Sequence, residues 1–434
     1  MEHNTVPDVF DPRIYAAGIP HDRFRALRDH APVARQAEPE ILGWPAGPGF
    51  WAVTRHADVV RVLKDSGTYS SALGATQIRD PDPADLPFIR RMMLNQDPSP
   101  SSQLRSSKGD PNEHGALRRL VSRAFTPGRI ERFAVTARER ARRLLAEAVE
   151  VAAATGSEVD LVRTVTDDYA LLNLTDLLGV PASDRGLLHA WTERVIAYQD
   201  PDEPPVLDAR GRPVNPRSPA MLAEMFAYAQ ELAAHKRAHP ADDVMTSLAT
   251  SELADAELEM FFFLLTVAGN DTVRSAAPGG LLALAEHPEE QRRLWSGEVS
   301  MEPAVDELLR VHPPVLSFRR TAARDTELAG QKIREGDKVV VFHASANHDE
   351  RVFPAPHRLD LGRSPNPHVS FGDGPHVCLG AHFARLQLRV LYEETREACG
   401  GLTLAAPPRR LVSNFINGIK SLPVRLREPS APPG

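Results

Sequence analysis

Cys378 lies in the decapeptide FGDGPHVCLG, residues 371–380, where its neighbours prepare a thiol for metal chemistry. Gly372 and Gly374 permit backbone angles closed to other residues, and Pro375 stiffens the turn, so the thiol is presented on a rigid loop. A helical pattern begins directly after it. Free N–H groups and the macrodipole at a helix start lower a thiol pKa and favour the thiolate, the form that binds metal. Cys399, the only other cysteine, reads as a small buried hydrophobe. Two cysteines exclude a disulfide framework, a four-cysteine zinc site and a one-chain four-cysteine iron–sulfur cluster. A dinucleotide-binding loop is also excluded, because Val377 stands where its third glycine is needed.

Other residues have types and spacings that could serve chemistry. In AGNDT, 268–272, Asp271 precedes Thr272 after the apolar run Phe261 to Leu265. An acid beside an alcohol can carry protons into an apolar pocket. His114 and Arg118 are four apart in EHGALRRL and share a helix face, and Arg319, Arg320 and His376 add further donors suited to an anionic ligand. Glu307 and Arg310, three apart in ELLR, can pair on one helix face.

The elements that must position these groups are mostly helical. Prolines, 38 of 434 residues, cluster at 81–111, 201–219, 313–314, 354–375 and 407–433, and the stretches between carry apolar residues at three- and four-residue spacing. Helices are expected at 127–151, 167–178, 219–239, 255–286, 303–311 and 378–399, with strands at 50–54, 327–329 and 338–342. No repeat or linker divides the chain, so 1–434 reads as one mainly α domain with a small β-containing lobe. Two polar connections, 97–112 and 200–219, read as mobile loops. Net charge −7 gives no global field for nucleic acid. The absence of a signal peptide or an apolar span predicts a cytoplasmic chain without a membrane anchor.

These motifs in this order resemble the cytochrome P-450 haem-thiolate monooxygenases, whose signature F-G-x-G-x-x-x-C-x-G is filled by Phe371, Gly372, Gly374, Cys378 and Gly380. The resemblance implies the triangular, mainly α fold of that family, with haem b as cofactor and Cys378 as the axial ligand of its iron. It implies that Ala268 to Thr272 crosses the distal face, with Gly269 loosening the helix for oxygen and Asp271 and Thr272 supplying protons. His114, Arg118, His376 and either Arg320 or Arg319 would meet the haem propionates. Glu307, Arg310 and Arg358 would form a structural triad. The wording of MLNQDP, SANHD and NGIK is similar to actinobacterial oxidases of sterols and branched lipids, although a second Asp-Pro at 110–111 departs from the family pattern.

The implied activity is insertion of one oxygen atom into a sterol, branched lipid or polyketide-like metabolite. A haem-thiolate sensor and a non-oxygenating isomerase are the rival classes, and neither needs the Asp271–Thr272 pair. Apolar pocket candidates are Phe88, Ile89, Met92, Met93, Phe262, Val267, Val315, Leu316 and Ile416. Electrons are expected from a separate ferredoxin and its reductase, docking on Arg119, Arg123, Arg385 and Arg389, and 97–112 is expected to act as a lid.

Overall fold

A 32-residue helix, Asp255–Glu286, runs about 48 Å through the molecule and carries AGNDT near its middle. The computed structural model describes residues 6–97, 114–122, 125, 127–154, 156 and 158–427. The central helix is apolar on nearly all sides because helices surround it: Asp167–Leu178, Arg185–Ile196, Pro219–Ala238 and Ala381–Ala398 all pack on it. Where it crosses Asp167–Leu178, a Cβ on Gly269 would meet Leu174 Cδ1 at 2.6 Å. The glycine is therefore needed for close helix packing, whatever it does for oxygen.

The expected helices at 167–178 and 255–286 have the predicted bounds, and that at 127–151 extends to Ala154. Its stripe of Ala137, Ala141, Leu144, Leu145 and Ala148 is buried, and it packs on Ala381–Ala398. Charged pairs seal that contact: Arg138 to Glu393 at 2.6 Å, Arg138 to Glu394, and Arg142 to Glu394 at 2.7 Å.

A five-stranded sheet has the order Val33–Gln36, Phe50–Val53, Lys338–Phe342, Ser317–Ala322, Tyr69–Ser70, and only the second and third strands run parallel. Lys338–Phe342 lies at its centre with every residue buried, which accounts for the unbroken run VVVF where an exposed face would demand alternation. A second sheet joins Glu158–Asp160, Pro423–Arg427 and Gly401–Leu404.

The two polar connections fare differently. Apart from Asp97 the expected 97–112 lid lies outside the described residues. The 200–219 segment, expected to be mobile, is anchored instead. Asp200 accepts from Lys420 Nζ at 2.8 Å and from the Val412 N–H at 2.9 Å, Arg217 bonds Thr76 Oγ1, and its guanidinium lies 5.3 Å from the Phe415 ring centroid. Composition exposed the segment's polarity but not these long-range partners.

Three deeply buried imidazoles make the fold acid-sensitive. Burial lowers His312 and His343 to about 3, and His348 falls well below the usual histidine value. Each ring stays neutral in the fold but takes a proton when the chain unfolds below about pH 6.5, so the unfolded state binds more protons and stability falls with pH. Below about pH 5.5 the three rings together are expected to remove about 4 kcal/mol per pH unit. Denaturant midpoints at pH 7 and pH 5 measure this, and equal midpoints would contradict it.

Candidate active site

Cys378 opens into a cavity between its own loop and the central helix. The loop is fixed from both sides. The Cys378 N–H donates to Phe371 O at 2.8 Å, and Asp373 Oδ1 accepts from the Gly374 N–H at 2.6 Å. Gly372 and Gly374 have φ of +72° and +70°, and a Cβ on Gly374 would meet Leu63 O at 2.6 Å, so a side chain there would be both strained and blocked. The following helix begins at Ala381, so Cys378 stands just before it. Its thiol accepts a hydrogen bond from the Gly380 N–H, and Arg118 and Arg385 lie near.

Those groups favour the thiolate as expected, but burial outweighs them and pushes the thiol pKa up. The thiol is exposed only in the sense that it faces the cavity. Charge on sulfur at this place calls for a cation. Cys399 is buried elsewhere, its thiol turned to Thr395 O at 3.2 Å.

His114, Arg118, Arg320 and His376 converge on the same cavity from three parts of the chain. Arg320 and Arg319, neighbours on a strand, point to opposite faces. Arg319 turns away to Asp80 at 2.6 Å and to the carbonyls of Ile78 and Arg79, while Arg320 lines the cavity. Burial and mutual repulsion lower His376 to about 2, burial and Arg118 lower His114 to about 4, and burial lowers Arg320 to about 10. His114 Nε2 is buried without a partner, its ring centroid 4.5 Å from that of His376. Asp97 is the anion that acts on His114 and Arg320.

Ala268 and Thr272 line the opposite wall, with Thr272 Oγ1 donating to Ala268 O at 2.7 Å. Asp271 does not line the cavity. One residue on a helix turns about 100°, so Asp271 is rotated into a buried position behind the wall, with Oδ2 unpartnered. Burial raises its pKa well above the ordinary carboxylate value, Asp167 adds to the rise, and Arg217 opposes it.

Several expected residues lie elsewhere. Arg358 is exposed and offers Glu307 no contact; the third member of the triad is Arg363. Arg363 Nε lies 3.1 Å from both Glu307 oxygens, and Glu307 is also held by Arg310 at 2.7 and 2.8 Å and by Asn366 Nδ2 at 3.2 Å. The meander between 354 and 366 curls so that Arg363 Nη2 donates to Arg358 O, bringing the later arginine inward.

Of the apolar pocket candidates only Met93 and Val315 line the cavity. Phe262 is fully buried beside Tyr228, Phe88 packs on Phe226, and Met92 and Val267 pack against the main core. Leu316 belongs to the core beneath the five-stranded sheet, Ile416 is buried opposite Val315, and Ile89 is half-buried away from the cavity. The wall is made instead by Leu174, Leu177, Leu178, Leu264, Leu265, Val273 and Phe318.

The cavity also receives His343, which belongs to none of the sequence motifs. Both of its ring nitrogens are buried without partners. Its one sequence signal is its place, directly after the apolar run VVVF of the central strand. Asp97 and Ser71, likewise unassigned from sequence, reach the site indirectly: Ser71 Oγ is 3.1 Å from Asp97 Oδ1 and 3.4 Å from His376 Nε2.

The expected docking arginines are less free than their spacing suggested. Arg385 pairs with Asp306 at 2.7 Å and stacks on Phe371, Arg389 reaches Glu302 at 3.3 Å, Arg119 is exposed, and Arg123 lies outside the described residues.

A family model for cytochrome P-450 matches residues 301–395, from the Glu307 helix through Cys378. The methyl-branched lipid omega-hydroxylase of Mycobacterium tuberculosis is 36% identical over 408 residues, covering 92% of this chain and 90% of its own. The chain belongs to the cytochrome P-450 family. The steroid C26-monooxygenase of Mycobacterium tuberculosis, another member, is 36% identical over 423 residues, 95% of this chain and 91% of its own. A Mycobacterium marinum cytochrome P-450 solved in complex with pseudoionone superposes with a TM-score of 0.81 at 35% identity, covering 98% of this chain and 99% of its own.

This cytochrome P-450 is a monooxygenase, and its cofactor is haem held through an axial cysteine thiolate. The cavity fits that group. It offers one thiol, two arginines and two histidines suited to anionic groups, and open space where a Cβ on Gly380 would meet nothing within 4 Å. No helix among the described residues is long and apolar enough to cross a membrane.

Proposed function

We propose that this cytochrome P-450 hydroxylates a lipophilic small molecule of the sterol, branched-lipid or polyketide-like class, with electrons delivered by a ferredoxin and its reductase. The single observation that carries the reading is the cavity wall opposite Cys378, where leucines from the Asp167–Leu178 and central helices surround the lone hydroxyl of Thr272. An apolar substrate is held there by desolvation alone and oriented by shape. The names of the two mycobacterial relatives support lipid and steroid substrates.

Haem supplies the activation of dioxygen, one atom of which enters the substrate while the other leaves as water after uptake of two electrons and two protons. In this reading Cys378 would hold the iron, and His114, Arg118, Arg320 and His376 would bind the propionates. Phe371, Gly372 and Gly380 would shape the wall on the thiol side of the cavity, and Ala268 part of the wall opposite.

Thr272 holds a proton at Oγ1 beside the reacting centre. Asp271, whose carboxyl burial pushes toward the protonated form, passes protons to it from the far side of the helix. Asp167 lies on that side, bound to Arg274 at 2.8 Å, and Glu193 bonds the same arginine, giving a route from the charged surface. Because Asp271 and Thr272 do not face each other, the transfer requires a bridging water or a rotation of the Asp271 side chain.

Titration of the ferric protein with steroids and methyl-branched fatty acids, followed by turnover with ferredoxin and reductase, tests the reading. Thr272→Ala should bind substrate as tightly as the parent and consume electrons, while product per electron falls about tenfold or more and hydrogen peroxide takes its place. Unchanged coupling would remove Thr272 from proton supply. Failure of every lipid and steroid to perturb the spectrum would remove the substrate class.

A further inference from the structure

Three imidazoles that do not line the cavity meet elsewhere in the fold. His21 opens the helix His21–His30, while His348 and His357 lie on the segment after the central strand, more than 300 residues later in the chain. One ring nitrogen of each lies within 4.8 Å of those of the other two. The ring centroids are 4.2 Å apart for His21 and His348, 4.9 Å for His21 and His357, and 5.4 Å for His348 and His357.

We infer that His21, His348 and His357 form a binding site for one divalent cation of the zinc class, with water at the remaining position. His348 Nδ1 lies 3.0 Å from Ala344 O, and if that nitrogen donates its proton, Nε2 is left with a free lone pair; this is the outer bond typical of metal-bound histidine. His21 Nδ1 is buried with no partner. His357 is exposed and can swing to close the set. Tetrahedral zinc with nitrogen ligands at about 2.0–2.1 Å needs those nitrogens about 3.3 Å apart, a contraction of an ångström or more from the widest spacing allowed here.

Burial and neighbouring arginines keep the rings neutral, so a metal would not compete with ring protons at neutral pH. Arg25, Arg28 and Arg310 are the nearby cations and Asp22 and Glu350 the nearby anions. Arg28 is already paired to Glu350 at 2.8 Å and Arg310 to Glu307 at 2.7 Å, which reduces their repulsion of a dication. Imidazole-only ligation selects zinc, nickel, cobalt or copper over magnesium or calcium. Such an ion would clamp the first long helix to the segment that carries Asn347, whose carbonyl accepts from Arg310 at 2.8 Å.

The test uses the haem-loaded protein, dialysed against chelator and titrated with Zn²⁺. One equivalent should bind at micromolar or tighter affinity and raise the thermal midpoint. His357→Ala, at an exposed position, should weaken binding about 100-fold or more and abolish the thermal shift. His239→Ala serves as control, because His235 and His239 stack 4.7 Å apart on an exposed helix face and could bind zinc themselves. It should leave the titration unchanged. No uptake by the parent, uptake unaffected by His357→Ala, or uptake lost in His239→Ala would each overturn the site.

Discussion

Cys378→Ala is expected to abolish the red-shifted Soret band that a thiolate ligand gives the ferrous carbonyl complex, and with it all monooxygenase turnover. No second thiol can replace it, because Cys399 is buried against its own helix and does not line the cavity. Haem could still be retained through His114, Arg118, Arg320 and His376, so loss of the band with partial retention of haem is the expected combination. Cys378→Ser separates volume from ligation: it keeps the shape of the turn, yet should lose the band as completely. A variant that kept the band would show that another residue binds the iron.

The second large effect lies behind the loop, at Glu307. Arg310→Ala is expected to destabilise the protein by about 3–5 kcal/mol, because it leaves a fully buried carboxylate short of its main partner. It also strips the Asn347 and Pro356 carbonyls of donors at 2.8 and 2.9 Å. Arg363→Ala should cost less, since Arg310, Asn366 and the Asp360 N–H at 3.1 Å still hold Glu307. Arg358→Ala should change stability by no more than about 0.5 kcal/mol. Denaturant unfolding and haem content measured on all three give the order Arg310, Arg363, Arg358; a larger loss at Arg358 than at Arg363 would reverse the assignment made from the geometry. If Arg310→Ala does not accumulate, Arg310→Lys keeps the charge and tests the forked bond alone.

The site was legible in sequence where local geometry and function coincide. FGDGPHVCLG encodes a turn that almost no other residues could make, and His114 and Arg118 share a face through helical spacing alone. What escaped depends on how distant segments meet. Arg358 and Arg363 are five residues apart in an irregular meander, and nothing in composition tells which one turns inward.

Apolarity could not separate pocket from core either. Phe262 and Leu264 differ by two helical positions, about 200° of rotation, and only the latter reaches the cavity. Val315 and Leu316 divide in the same way at the start of a strand. Asp271 and Thr272, adjacent in the chain, read as a touching pair, yet helical geometry turns them to different surroundings.

The cations around the cavity bear on how the protein matures. Before the cofactor arrives, Arg118 and Arg320 stand in a desolvated space beside the neutral imidazoles of His114 and His376, and the buried thiol keeps its proton. A dianion bearing a metal therefore meets its countercharges there. By mass action such a ligand stabilises the fold by an amount that grows with the logarithm of its free concentration. In a cell short of haem, the chain would lack that stabilisation, and quality control would read cofactor scarcity as protein instability.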